Sequence, residues 1–314
     1  MVPAFDIIAM GCVALDYYLL LDHPLGQQEK VRARSASLHP GGTMGNFASA
    51  AAKLGAKTGF LGIVGEDPWG DHLTAELRAH GVDPSRVMKR SEQRTPLTIV
   101  LLDNEGRRTN ILPPFPALRL EEIDLEYIQN TRILHTHLFD LEVVNSCANE
   151  VRKRGVTVSV DLELHRAKGI PFPELKKMVS LCDLLFLNEE ALGWLIPNLD
   201  IESAANSLRE WGPRTVVVTL GDRGSLALTE QEAIRTNSFE VTAVDATGAG
   251  DAFAAAFCFG SLQGWSLKKT MGMASAVSAL VVSHIGATTG LPTLNEAISF
   301  LEGSKPLEIL SLKG

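Results

Sequence analysis

The stretch Val244–Phe257, VDATGAGDAFAAAF, sets Gly248, Ala249 and Gly250 directly before Asp251 and an apolar helical run. A Gly-Ala-Gly turn entering a helix leaves the first backbone N–H groups bare, and the helix dipole adds partial positive charge at the same point. Such a turn is an anion site. A carboxylate immediately behind it faces whatever reacts at the anion. Phosphoryl transfer needs that pairing: donors for the charge on the transferred group, and an acceptor for the proton of the attacking hydroxyl. The plainer reading is that Asp251 only stabilises the first turn of its helix. The dipole is expected to lower the pKa of Asp251, making it a weak base that chiefly orients the hydroxyl and takes the proton late.

Around this helix the chain alternates strand and helix. FDIIAMG reads as a buried opening strand, Asn46 to Leu54 as an Ala-rich helix ended by Gly55, and KTGFLGIVG as a strand. DPWGDHLTAELRAHG follows as a helix with Pro68 in its first turn and Gly81 past its end. RILHTHL, VTVSVDL, DLLFLN and RTVVVTL are short apolar runs separated by helical stretches, the pattern of strands buried on both faces of a parallel sheet. Two long helical candidates, Gly248 to Gly264 and Leu267 to His284, precede NEAISFLEG. The expected architecture is an α/β/α three-layer sandwich with a mostly parallel central sheet. Two regions break the alternation. Residues 12–40 and 95–113 offer four strand-like runs, the second pair around the turn Asn104-Glu105-Gly106, with no helices to cover them. They read as a small projecting β-sheet whose bare face is buried by substrate, by closure or by a second subunit, or else as two surface hairpins. With no repeat and no low-complexity linker, residues 1–314 read as a single domain.

Composition narrows the function. The chain has 314 residues, 45% hydrophobic and 21% charged, and a formal net charge of -8. That charge argues against a general nucleic-acid binder, whose affinity comes from Lys and Arg neutralising phosphates. Cys12, Cys147, Cys182 and Cys258 form no close pair, which suggests neither a zinc set nor a disulfide framework and fits a reducing compartment. The N-terminus lacks a positive n-region, and no stretch reaches the ~18 apolar residues of a membrane span. A cytoplasmic protein with no membrane partner is expected.

Two further stretches carry chemistry. In His39–Asp67, HPGGTMGNFASAAAKLGAKTGFLGIVGED, Gly41 and Gly42 permit close backbone approach, and Asn46 either caps the following helix or hydrogen-bonds a polyol. In VVVTLGDRGSLAL a buried strand enters a turn lined by Thr219, Gly221 and Gly224, a phosphate cradle or a plain hairpin. Together the three stretches resemble the PfkB family of carbohydrate kinases, with the ribokinase-like fold. Gly41–Asp67 is similar to the family's N-terminal signature, and DATGAGDAF, Asp245–Phe253, to its C-terminal one.

The resemblance implies an ATP-dependent kinase acting on a primary hydroxyl of a sugar or sugar-like polyol, with Mg²⁺ as cofactor. It makes Asp251 the catalytic base and the backbone of Gly248, Ala249 and Gly250 the anion hole. It assigns Thr219, Gly221, Gly224 and Asn188 to the nucleotide, with Ser275 and His284 beside the adenine, and Asp16, Gly42 and Asn46 to the sugar. It aligns Asp245 and Thr247, with carbonyls near Val281, Gly286 and Gly290, with a monovalent-cation loop, implying K⁺. The projecting strands match the family's lid, which also implies a homodimer. Departures are visible: Ala191 stands where the family carries a glutamate, leaving Glu189 or Glu190 to act on magnesium through water. Ala14 replaces the asparagine of ribokinases, which argues against ribose. Arg107 and Arg108 either close over an anionic group on the substrate or form a solvated turn. His135, His137 and Asp140 end a core strand on the ligand-binding side of such sheets, with His137 a candidate substrate contact. A nucleoside kinase, a kinase of a phosphorylated or sulfonated sugar, and a sugar sensor without turnover are the alternatives. A dinucleotide oxidoreductase is disfavoured, because GCVALD rather than G-x-G-x-x-G follows the first strand.

Overall fold

The structure, a computed structural model, describes residues 3–26, 30–104, 107–305 and 307–311. The chain begins β1 (Phe5–Met10), β2 (Ala14–Leu20), β3 (Ser35–Gly41), α1 (Thr43–Lys53), β4 (Thr58–Gly65), α2 (Pro68–Ala79), β5 (Asp83–Arg90), β6 (Leu97–Leu102) and β7 (Arg108–Ile111). It continues α3 (Leu125–Gln129), β8 (Thr131–His137), α4 (Leu141–Arg152), β9 (Thr157–Asp161), α5 (Leu164–Ala167), α6 (Phe172–Ser180), β10 (Leu184–Asn188), α7 (Glu189–Leu195) and α8 (Ile201–Arg209). The last part is β11 (Thr215–Thr219), β12 (Ser225–Leu228), β13 (Ala233–Thr236), α9 (Ala249–Leu262), α10 (Leu267–Val281), α11 (Leu294–Gly303) and β14 (Ile309–Ser311).

The central sheet has the order β14-β13-β12-β11-β10-β9-β8-β1-β4-β5. It is parallel from β5 to β11 and antiparallel from β11 to β14. Strand side chains alternate between faces, so each central strand feeds two cores. Ile7 and Ala9 of β1 join the core under α1, α2, α9 and α10, while Ile8 and Met10 join the core under α4, α6, α7 and α8. This double burial is why the parallel strands read as continuous apolar runs. Strand β5 escapes that signal: DPSRVMKR is half exposed and contains Pro84, which only an edge tolerates.

Helix α1 begins at Thr43, three residues before the expected start at Asn46, and its N-cap is Gly42. Asn46 is therefore an interior, buried helical residue and not a cap. That frees its amide for the site described below.

The projecting strands form one sheet, not two separate hairpins. Strands β2–β3 and β6–β7 are antiparallel pairs, and Leu15–Leu20 of β2 run parallel to Leu97–Leu102 of β6. The register puts Asp16, Tyr18, Thr98, Arg108 and Asn110 on one face and Tyr17, Leu97 and Ile111 on the other. On β2 the first face is turned inward, with Asp16 5% exposed and Tyr18 0%, against 36% for Tyr17, 43% for Leu97 and 51% for Ile111, while Arg108 and Asn110 of edge strand β7 stay exposed. Of the turn expected at Asn104-Glu105-Gly106, Glu105 and Gly106 lie outside the described residues.

Candidate active site

The turn before α9 has the conformation that its glycine demands. Gly248, the N-cap, is left-handed at φ 77°, and a Cβ there would lie 2.5 Å from the Ala287 Cβ. Only glycine satisfies both conditions. Asp251 follows in the first turn of a 14-residue helix, and its Oδ2 accepts a 2.8 Å hydrogen bond from Asn46 Nδ2. The other amide atom, Asn46 Oδ1, is buried without a hydrogen-bond partner among the described residues.

Burial raises the Asp251 pKa and outweighs the Asn46 bond that lowers it; with Glu163 and Asp16 adding like charge, it is pushed up to about 7. The expectation that the helix dipole makes Asp251 a weak base is thus reversed. Desolvation in a cleft walled by other carboxylates exceeds a half-charge at the helix end.

Asp251 opens onto a cleft of about 810 Å³ that also contains Asp16, Gly42, Asn46, Gly248 and Gly250. Lid residues Thr98, Arg108 and Asn110 close one side. The opposite wall, Asp161 to Arg166, comes from the end of β9 and from α5. Glu163 is its hub: Oε1 accepts from Thr43 Oγ1 at 3.0 Å, Oε2 accepts from Arg166 Nε at 2.6 Å, and His137 Nδ1 lies 3.8 Å away. Burial, with Glu163 and Asp251 nearby, raises the Asp161 pKa well above the usual carboxylate range. Burial likewise brings Asp16 to about 6, against the hydrogen bond from Thr98. Asp161 and Glu163 escaped the sequence reading, although DLELHR sits at the carboxyl end of a parallel strand, where such sheets bind ligands.

A second cavity, of about 380 Å³, shares Thr219, Ala246 and Gly250 with the first. Gly221, Gly224, Ala249 and Ser275 line it, with Phe239, Phe253, Ala279 and Val282. The TLGDRG turn is a tight β11–β12 connection, and it also borders this cavity. Gly224, at φ 89°, lets the turn press on β13, since a Cβ would lie 1.8 Å from the Thr236 carbonyl oxygen. Asn188 caps α7 by accepting from the Ala191 N–H, and its side chain borders the cleft. Ala191 is buried, Glu189 is paired with Arg223, and Glu190 alone of the three lines the cleft.

Asp245, Thr247 and Gly286 are joined in one network. Asp245 Oδ1 accepts from the Thr247 N–H at 2.9 Å and from Thr247 Oγ1 at 2.6 Å; Oδ2 accepts from Tyr18 Oη at 2.6 Å and from the Gly286 N–H at 3.0 Å. Burial alone would raise this carboxylate, but the bonds from Thr247, Tyr18 and Gly286 hold it below its usual range. Val281 ends α10, its carbonyl accepting from the His284 N–H, and Gly290 packs against the His284 ring. A carboxylate already serving four donors fits poorly as a ligand for a potassium ion.

Three expected contacts lie elsewhere. Arg107 is turned back on Asp103, which accepts from both its N–H and its Nε, and Arg108 is the arginine that enters the cleft. His137 lies under the cleft floor, fully buried, with Nε2 accepting from the Cys12 N–H. Burial pushes it down to about 3, so it is neutral. His284 borders neither cavity, because its Nδ1 is bonded to the Leu280 carbonyl at the exposed end of α10. His135 is stacked on Phe47 in the core, and Asp140 caps α4.

Comparison with known proteins agrees with this geometry. The chain is 29% identical to a nucleoside kinase of Methanothermobacter thermautotrophicus over 298 residues, 93% of this chain and 94% of that one. It is 31% identical to a probable fructokinase-3 of Arabidopsis thaliana, covering 85% and 84% of the two chains. The fold superposes on Arabidopsis thaliana ribokinase, solved with ribose and ATP, with a TM-score of 0.83 at 26% identity, covering 97% and 100%. The pfkB family carbohydrate kinase model matches residues 1–294, and the chain belongs to that family of kinases, phosphotransferases with an alcohol group as acceptor.

Proposed function

We propose that the protein transfers the γ-phosphate of ATP to a primary hydroxyl of a neutral sugar or sugar-like polyol held in the larger cleft. The observation that carries this reading is the position of Asp251, one residue behind the anion turn and bonded to Asn46 of the adjoining helix α1 in the same cleft. The hydroxyl proton passes to Asp251 as the new oxygen–phosphorus bond forms and the bond to the ADP oxygen breaks. The N–H groups of Gly248 and Gly250 hold the charge of the transferred group, while the Ala249 N–H makes a long bond to the Ala246 carbonyl at 3.4 Å. Asp16 and the unpartnered Asn46 Oδ1 accept hydroxyls of the acceptor, with Gly42 at its edge. Thr219, Gly221, Gly224 and Ser275 cradle the nucleotide, whose base takes the smaller, largely apolar cavity. Asn188 and Glu190, which line the cleft, would hold magnesium, Glu190 standing in for the residue that Ala191 replaces, and the bound ion would supply positive charge to the phosphates. Potassium has no part in the proposed reaction, because Asp245 is already saturated.

Asp16 disfavours a second anionic group on the acceptor, since Arg166 is spent on Glu163 and Arg108 is turned to Thr247. A nucleoside is the second reading, supported by the likeness to a nucleoside kinase. The outer lid face, with Tyr17, Leu97 and Ile111 exposed, is proposed to pair with a second copy of the chain. With four unpaired cysteines, and no described helix long and apolar enough to cross a membrane, we place the reaction in the cytoplasm. The test is acceptor-dependent ADP release with fructose, ribose, adenosine and fructose 6-phosphate. Turnover of a neutral acceptor is expected, and binding of these compounds without turnover in any case would mark a sensor instead.

A further inference from the structure

Tyr18 and Asp16 are two residues apart on the same inward face of β2. Asp16 looks into the cleft, while Tyr18 reaches past it to donate to Asp245 Oδ2. From the edge of the same sheet, Arg108 Nη1 donates to Thr247 Oγ1 at 2.5 Å, and that hydroxyl donates in turn to Asp245 Oδ1. The guanidinium lies 3.8 Å from the same oxygen. Thus a carboxylate only 3% exposed receives four hydrogen bonds and one full positive charge, two of those contributions from the lid. A buried carboxylate needs such compensation. A further cation on Asp245 would be a fifth partner and would sit beside the Arg108 charge, which repels it.

We propose that Tyr18 and Arg108 are positioning residues that clamp the Asp245–Thr247 loop to the lid and do there what a bound monovalent cation would do, so that nucleotide binding and turnover are independent of potassium. The loop leads directly into the anion turn at Gly248, and β2 carries the acceptor contact Asp16. Acceptor site and phosphate site are therefore joined by one strand and two side chains. This inference rests on the kinase reading above for its consequence in turnover, but the clamp itself is measurable without an acceptor.

The experiment compares melting temperature and MgADP affinity of the whole protein in KCl, NaCl and tetramethylammonium chloride at equal ionic strength. The wild type is expected to give the same values in all three. Tyr18→Phe removes one donor and Arg108→Gln removes the charge. Each is expected to weaken MgADP binding about 5-fold in tetramethylammonium chloride, the cost of one hydrogen bond; Arg108→Gln, which lacks the repelling charge, is expected to recover it in KCl as the ion fills the vacated place, and Tyr18→Phe, which keeps that charge, is not. Arg108 is part exposed, so its variant keeps the test alive if Tyr18→Phe does not fold. A specific rise of wild-type melting temperature or MgADP affinity in KCl overturns the proposal, as does an Arg108→Gln variant indifferent to the salt. Absence of MgADP binding in every salt would defeat the kinase reading instead, leaving the melting temperatures to judge the clamp.

Discussion

At the donor end of the cleft, the anion turn and Asp251 come from consecutive residues, Gly248 to Asp251. At the acceptor end, Asp16 and Thr98 come from the lid, Asn46 from α1, and Asp161 and Glu163 from the end of β9 and the residues after it. The donor end works through backbone amides, whose direction a short segment sets by itself. The acceptor end works through side chains that only the assembled fold brings together. Changes at the donor end should therefore lower turnover of every acceptor alike, while changes at the acceptor end should alter the ranking of acceptors.

The largest expected effect tests the donor end. Asp251→Asn keeps the size of the side chain and removes its proton affinity, so kcat should fall about 10³–10⁴-fold for every acceptor, near the upper range for a general base. Near wild-type turnover would show that another group takes the proton. The same residue sets a pH dependence. With its pKa raised to about 7, Asp251 is protonated below that value, so log kcat/KM should rise with pH and level off above about 7. A raised carboxylate also costs stability above its folded pKa. Between the unfolded value and about 7 the wild type should lose stability as pH rises, and Asp251→Asn should not share that loss.

Gly248→Ala comes next. The left-handed backbone costs roughly 1–2 kcal/mol for a side-chain-bearing residue, and the new Cβ meets Ala287. Displacing one anion-hole donor typically costs on the order of 10²-fold in kcat. The expected result is a lowered melting temperature together with a loss of kcat, with KM for the acceptor little changed. A change in KM alone would move the turn out of the reaction.

This contrast also explains what the sequence could reveal. DATGAGDAF and the Gly-Gly block are readable because backbone sites are local, and the apolar runs are readable because parallel strands are buried on both faces. Edge strand β5 is not, because exposure on one side erases the pattern. Nor is the sign of the Asp251 shift, since the helix dipole is visible in sequence while the surrounding carboxylates belong to distant segments. His137 and Arg107 show the same limit: one lies below the cleft floor and the other on the far side of its strand from Arg108, a distinction of one residue that alternation decides.

At the acceptor end, Glu163→Gln should change selectivity more than rate. It removes the charge paired with Arg166 and leaves that guanidinium free to meet an anionic acceptor. KM for a neutral sugar is expected to rise about 10-fold, equivalent to ~1.4 kcal/mol, while fructose 6-phosphate gains relative to fructose. An equal loss of kcat for both acceptors, with no change in ranking, would place Glu163 with the donor machinery and break the contrast between the two ends.

The smallest effect separates two neighbouring arginines. Arg107 is exposed and folded back on Asp103, four residues away along the same strand pair, whereas Arg108 points into the cleft. The pair joins an exposed guanidinium to an aspartate whose side chain is only 3% exposed, so its loss should lower the melting temperature, while none of it reaches the acceptor. Arg107→Ala should therefore leave kcat and KM close to the wild-type values, because Arg107 does not line the cleft. The comparison with Arg108→Gln is the informative one, because charge at the lid tip is lost equally in both. If the two variants behave alike in acceptor kinetics, the lid acts through its overall charge; if only Arg108→Gln is impaired, it acts through one side chain placed by strand alternation beside Thr247.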